Sequence, residues 1–189
     1  MSSLHQRIRR GEPSAFVELY DGLGDRLYRY AFARLRSSND ASDVVQEIFV
    51  RLVKSHRALS RADDLTSYIF AVARTEIIRW RQKNSPSRNA ERASGEPPYR
   101  PQDAADIADG SHSGEQTVEG REWVQRTLDH LNPVDQEIIQ LKVFSQLTFK
   151  EIGVVLGMDP NTVATRHRRA IQRLQRHLKP KHADDRPMT

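Results

Sequence analysis

Residues 146–178, QLTFKEIGVVLGMDPNTVATRHRRAIQRLQRHL, carry two consecutive sets of helix start and stop signals. Thr148 and Glu151 stand three apart, the spacing of a capping box in which each side chain satisfies the other's backbone N–H. Leu147 and Ile152 flank them at hydrophobic-staple positions. Phe149, Ile152, Val155 and Leu156 form an apolar stripe at helical spacing. Gly157 follows where a left-handed residue would end the helix. Asp159 then caps a second helix, Pro160 suits its first position, and Met158 and Val163 are placed to staple it. A short helix, a turn with glycine and a second helix make a helix-turn-helix.

The second helix indicates what the unit does. Val163, His167, Ala170, Ile171, Leu174 and Leu178 fall on one face and would bury. Thr165, Arg169, Gln172 and Arg176 point the other way, with Asn161, Thr162 and Arg168 beside them. From Asn161 to His182 there are seven Lys or Arg and no acid. Arg, Thr, Asn and Gln are the side chains that bind phosphates and read base edges in a major groove. The plainer alternative is a solvated basic face on a bundle helix. Two capped helices at this spacing favour duplex DNA.

Charge agrees with this. The chain has 30 basic and 25 acidic residues, net +5, and the excess is concentrated near the C-terminus, which suits a polyanion partner. With no cysteine, disulfides and thiolate metal sites are excluded. The first residues, MSSLHQRIRRGEPS, lack an apolar core of signal-peptide length. The longest apolar runs, such as 69–73, are far too short to span a bilayer. A cytoplasmic protein without membrane insertion is expected.

Upstream the apolar spacing stays helical, and no strand pattern competes. Residues 13–36 place Phe16, Leu19, Tyr20, Leu23, Leu27, Tyr30, Ala31 and Leu35 at helical intervals, with a break expected near Gly22 to Gly24. Residues 37–40 read as a turn ending in a cap at Asp40. Residues 41–57 then bury Val44, Val45, Ile48, Leu52 and Val53. The opposite face shows Asp43, Gln46, Glu47, Val50 and Lys54, and an apolar Val50 on a polar face hints at a partner. After a polar connection at 58–64, a helix at 65–83 turns Leu65, Ile69, Val72, Ala73 and Ile77 inward.

Tyr68, Phe70 and Trp80 spread beyond that stripe, and Arg74, Arg79, Arg81 and Lys83 make its end basic. Two readings fit. Aromatics interleaved with cations suit single-stranded nucleic acid, or the rings are core and the charges complement the helix dipole. Residues 85–117 hold four prolines and almost no large apolar residue, which predicts a disordered linker averaging roughly 30 Å end to end. Residues 118–131 are helical again. Asn132-Pro133 caps a helix that buries Val134, Ile138, Ile139, Leu141 and Val143 and leads into the helix-turn-helix. The tail after Pro180 is polar and predicted to fray. There is no phosphate-binding glycine loop, no histidine pair at zinc spacing and no nucleophile elbow, so no catalytic residue, metal or cofactor is expected.

Four stretches in this order and spacing carry a family resemblance: ASDVVQEIFVRL (41–52), LTSYIFAVARTEIIRWRQ (65–82), LNPVDQEIIQL (131–141) and LTFKEIGVVLGMDPNTVATRHRRAIQRL (147–174). The layout resembles the extracytoplasmic-function (group IV) sigma factors of the sigma-70 family of bacterial RNA polymerase. The resemblance implies an all-α chain of two small domains. Residues 1–84 would be a region 2-like bundle, 85–117 a linker, 118–180 a region 4-like helix-turn-helix domain and 181–189 a tail.

It further implies a non-enzymatic factor that binds core polymerase and directs initiation by reading minus-10 and minus-35 promoter DNA. Asp43, Gln46, Glu47 and Val50 would dock on the clamp of the beta-prime subunit. Ser60, Arg61, Asp63 and Asp64 lie where the group captures a flipped minus-10 base. Tyr68, Arg74 and Trp80, with Phe70, lie where the family handles the melting strands. Asn161, Thr162, Thr165, Arg166, Arg169 and Arg173 fall on the minus-35 reading helix. An anti-sigma factor is a further partner of many relatives. The chain departs from the family pattern at Thr75 and Arg79, where Asn and Asp are usual, and at His167, where an apolar residue is usual. A stand-alone helix-turn-helix regulator acting without polymerase is the alternative.

Overall fold

The computed structural model describes residues 3–84 and 127–178, and every regular element among them is a helix. The first half contains α1 (Ser3–Arg10), α2 (Pro13–Leu35), α3 (Ser38–Lys54), α4 (His56–Leu59) and α5 (Leu65–Lys83). The second contains α6 (Pro133–Val143), α7 (Phe149–Leu156) and α8 (Pro160–Leu178). The expected linker at 85–117, the tail and residues 118–126 of the helix expected over 118–131 lie outside the described residues; of the rest of that helix, 127–128 are helical and 129–130 form a turn.

Helix α2 runs unbroken through Gly22 and Gly24, against expectation. Each glycine costs a helix about 1 kcal/mol relative to alanine. Burial of Leu19, Leu23 and Leu27 on the same helix returns roughly 1.5–3 kcal/mol per side chain and offsets that. Helix α3 starts earlier than expected because Ser37, not Asp40, is the cap: its side chain accepts from the Asp40 N–H at 3.3 Å. Helices α1 and α4 were not anticipated. Arg7 and His56 tie them down, with His56 Nδ1 at 3.2 Å from the Ile8 carbonyl oxygen and Arg7 donating to Glu18 and Ser14.

Helices α2, α3 and α5 pack together around Leu27, Tyr30, Ile48, Leu52, Ile69, Phe70 and Ile77. In the second half α8 packs across α6 and α7. The halves are packed against each other, with α7 lying on α5. A single apolar cluster runs from Ile8 through the first half to Ile138, Leu141, Leu147, Ile152 and Val163. A smaller one joins Leu128, Leu131, Ile139 and Ala170. Helix α6 therefore buries neighbouring isoleucines in two different clusters.

A polar seam frames the junction. Glu137 Oε1 accepts from the Tyr30 hydroxyl at 2.8 Å and from Arg74 Nε at 3.0 Å. Gln140 Nε2 donates to the Ala33 carbonyl at 3.2 Å, and Arg26 Nε to the Ser145 carbonyl at 2.7 Å. Arg36 pairs with Asp129.

Candidate nucleic-acid and polymerase interfaces

The helix-turn-helix forms as its punctuation predicts. Thr148 and Glu151 complete both halves of the capping box, and Gly157 ends α7 at φ 65°. A side chain there would be strained by the left-handed backbone. Asp159 Oδ1 accepts from the N–H groups of Asn161 and Thr162 at 2.8 and 3.3 Å. Leu147, Ile152, Val163 and Ala170 are buried, which fixes the roll of α8. Asn161, Thr162, Arg168, Arg169, Gln172 and Arg176 are exposed, while Thr165 is half-buried. The basic face of α8 is thus turned to solvent and not buried against the first half.

Two of the expected DNA-binding arginines are otherwise engaged. Arg166 Nε meets Asp135 Oδ1 at 2.8 Å, and Arg173 Nη1 meets Asp135 Oδ2 at 3.4 Å. His167 packs its ring 5.3 Å from that of Phe149. Burial pushes the imidazole below its usual pKa, and the Lys142 ammonium pushes the same way.

Along α5 most of the singled-out side chains also have partners. Asp64 caps the helix, accepting from Thr66 N and Ser67 N at 3.2 Å each. Ser60 is buried and its hydroxyl donates to the Arg57 carbonyl at 3.0 Å. Arg74 is held on Glu137, and Arg79 pairs with Glu76 at 2.9 Å. Phe70 is fully buried, so for this ring the core reading is the right one. Tyr68 and Trp80 are half-buried against the core, whereas Arg61 and Asp63 face solvent.

Helix α3 exposes Asp43, Gln46, Glu47 and Val50 together. Val53, expected in the core, is 47% exposed, close to Val50 at 46%. On α2, Val17 and Tyr20 are exposed as well, and Tyr20 meets Phe49 edge-on at 5.1 Å.

Family profiles described as "Sigma-70 region 2" and "Sigma-70, region 4" match residues 19–86 and 121–174, together more than half of the chain. The chain belongs to the sigma-70 family of sigma factors. The ECF RNA polymerase sigma factor BldN of Streptomyces coelicolor is 28% identical over 94% of the chain, which spans 66% of that protein's length. SigW of Bacillus subtilis is 22% identical over 92% of the chain and 94% of SigW. Among solved structures, CnrH in complex with the cytosolic domain of CnrY matches 93% of this chain and 94% of that one (TM-score 0.67, 19% identity). The sigma factor RpoE of Bartonella quintana, in complex with the anti-sigma factor NepR, matches 88% of this chain and 98% of that one (TM-score 0.63, 19% identity). Both share the fold.

In the sigma factor, the region 2 match takes in α3 to α5 and α2 from residue 19 onward, and the region 4 match takes in α6, α7 and α8 as far as residue 174. Val17, Tyr20 and Val53 are exposed on the first half, where helical spacing alone does not mark them, and Val134 and Val143, expected in the core, are 40% and 53% exposed. An apolar residue at helical spacing does not reveal how wide the covered stripe is. Among the described residues, no group of acids and histidines is arranged to hold a metal, and no helix is long and apolar enough to cross a membrane.

Proposed function

We propose that this sigma factor docks on the clamp of core RNA polymerase through α3 and aims two DNA-reading surfaces at one promoter. Asp43, Gln46 and Glu47 supply the polar part of the docking face. Val50 supplies an apolar anchor, with Val53, Val17 and Tyr20 extending it. Helix α8 enters the major groove of minus-35 duplex. Arg169, Asn161 and Thr162 meet bases or phosphates there, with Thr165 at the edge. The region 2 surface around Arg61, Asp63, Tyr68, Arg74 and Trp80 takes the minus-10 strand. Flipping a base out of the stack costs a few kcal/mol, which that surface must recover.

The observation that carries this reading is the outward basic face of α8 on a complete helix-turn-helix. Arg74 is engaged by Glu137 and α5 is covered by α7. The two regions therefore separate when polymerase is bound, and region 2 then meets the melted strand. The factor makes no bond itself, since phosphodiester chemistry belongs to the polymerase. It works in the cytoplasm, and an anti-sigma factor is a natural further partner, as NepR is for RpoE.

The test is promoter use by holoenzyme carrying Arg169→Ala. Loss of a base contact weakens a matched minus-35 promoter by roughly 1–3 kcal/mol, with polymerase binding unchanged. Equal use of matched and mutated minus-35 sequences by both proteins would remove that role. A stand-alone regulator would need a symmetric dimer and a palindromic site. Tight, specific gel shift by the protein without polymerase would favour it.

A further inference from the structure

We propose that Asp135, which lies on α6 outside the reading helix, is a positioning residue that holds Arg166 and Arg173 as a preset phosphate clamp beside the base-reading face of α8. The inference rests on the minus-35 role proposed above and divides the arginines of α8 by task.

Asp135 is only 5% exposed. A carboxylate so placed must be paired, because an unpaired buried charge is strongly unfavourable. Both charged partners come from one helix, α8, at positions seven apart: Arg166 on Oδ1 and Arg173 on Oδ2. Asn132 completes the set. Its Nδ2 donates to Asp135 Oδ2 at 2.6 Å, and its Oδ1 accepts from Asp135 N at 3.0 Å and from Arg166 Nη2 at 3.5 Å. The residue that starts α6 is thereby wired to two side chains of the reading helix.

The pairing leaves donors over. A guanidinium carries five N–H donors. Arg173 uses Nη1 on Asp135, and Arg166 uses Nε on Asp135 and Nη2 on Asn132. Both side chains stay partly exposed, 36% for Arg166 and 49% for Arg173. Arginines whose orientation is set in advance lose less side-chain freedom when a planar phosphate contact forms. Arg168 and Arg169, exposed and in no ion pair among the described residues, keep the freedom to follow base edges. Phosphate contacts set register and carry no sequence information. Asp135 therefore governs affinity and register while Arg169 governs discrimination.

The experiment measures holoenzyme affinity for matched and scrambled minus-35 duplexes over a salt series, for wild type, Asp135→Asn, Arg173→Ala, Arg173→Lys and Arg169→Ala. Arg173→Ala is expected to weaken both duplexes alike, by roughly five- to tenfold, and to lower the salt slope by about 1. Arg173→Lys keeps the charge and the slope but loses affinity, because the fork geometry is gone. Asp135→Asn is expected to weaken both duplexes alike while the matched-to-scrambled ratio stays at the wild-type value. Arg169→Ala lowers that ratio. A changed ratio in Asp135→Asn, or wild-type affinity with only a lowered melting temperature, would overturn the positioning role. If Asp135→Asn fails to fold, Arg173→Ala decides alone, and an unchanged slope overturns the clamp. A wild-type holoenzyme that does not discriminate between the duplexes would refute the minus-35 reading itself, a result distinct from either of these.

Discussion

The Tyr30 hydroxyl donates to Glu137 Oε1 at 2.8 Å, joining α2 to α6 across 107 positions of sequence. Arg74 Nε reaches the same oxygen at 3.0 Å. Burial pushes the Tyr30 phenol well above its usual pKa, and the Glu137 carboxylate pushes it further, so the hydroxyl stays protonated and remains a donor. Glu137 is thus a buried carboxylate served by one neutral and one cationic partner, and it fastens region 4 onto region 2.

The two ends of that pair should not be equivalent in stability. The Glu137 side chain is 6% exposed and that of Arg74 is 37%. Arg74→Ala strands a buried carboxylate and is expected to cost about 3 kcal/mol. Glu137→Gln keeps an acceptor for Tyr30 and frees a guanidinium that can turn to water, at about 1 kcal/mol. Urea unfolding of the two variants measures the order. Equal losses would mean that the carboxylate is not desolvated as described.

The halves should part when polymerase binds. The chain has no cysteine, so two introduced thiols label it uniquely. Arg29 and Val154 are exposed positions in regions 2 and 4. A spin-label pair at Arg29→Cys and Val154→Cys is expected to give one distance in the free protein and a longer one with core enzyme. An unchanged distance would mean that the packed arrangement is the working one.

Docking through α3 should be sensitive to charge at its apolar point. Val50→Asp is expected to weaken core polymerase binding by more than about 1 kcal/mol, as loss of a buried interface anchor does. Affinity of the isolated protein for minus-35 duplex should be unchanged. Competition against a reference sigma factor for limiting core enzyme is the measurement, and undiminished competition would move the docking face elsewhere.

His167 should make the fold acid-sensitive. Its folded pKa lies below the ordinary histidine value of about 6.5 because of burial and then Lys142. Lys142 Nζ also donates to the Leu147 carbonyl at 3.0 Å and sits 5.0 Å over the Phe149 ring. Between the folded pKa and 6.5 the unfolded chain holds more protons, so stability is fully present above that window and falls as pH drops through it. His167→Leu is expected to lose less melting temperature than wild type between pH 7.5 and 5.5. Equal losses would show that this histidine does not contribute.

The helix-turn-helix was legible because its signals are local: Thr148 with Glu151, Gly157, then Asp159 and Pro160 each act within one turn. Helix α5 was legible from spacing alone, with the bounds it was given, and α3 from spacing with its start and end about three residues late. The packing of region 4 on region 2 was not. In α6, Ile138 and Ile139 are adjacent and apolar, and no periodicity says that they serve two different clusters. Glu137 reads as a surface acid until Tyr30 and Arg74 are brought beside it from the other half. Arg166 and Arg173 look like free basic residues for the same reason: Asp135 lies 31 and 38 positions away. The glycines of α2 misled in the opposite sense, since burial of its leucines outweighs a local preference to break.

The most direct measurement is reconstitution of the purified protein with core RNA polymerase on genomic DNA, mapping transcript starts. A new set of starts sharing one minus-35 and one minus-10 sequence is expected, appearing only when core enzyme and this protein are both present. A start map unchanged by the protein would contradict it.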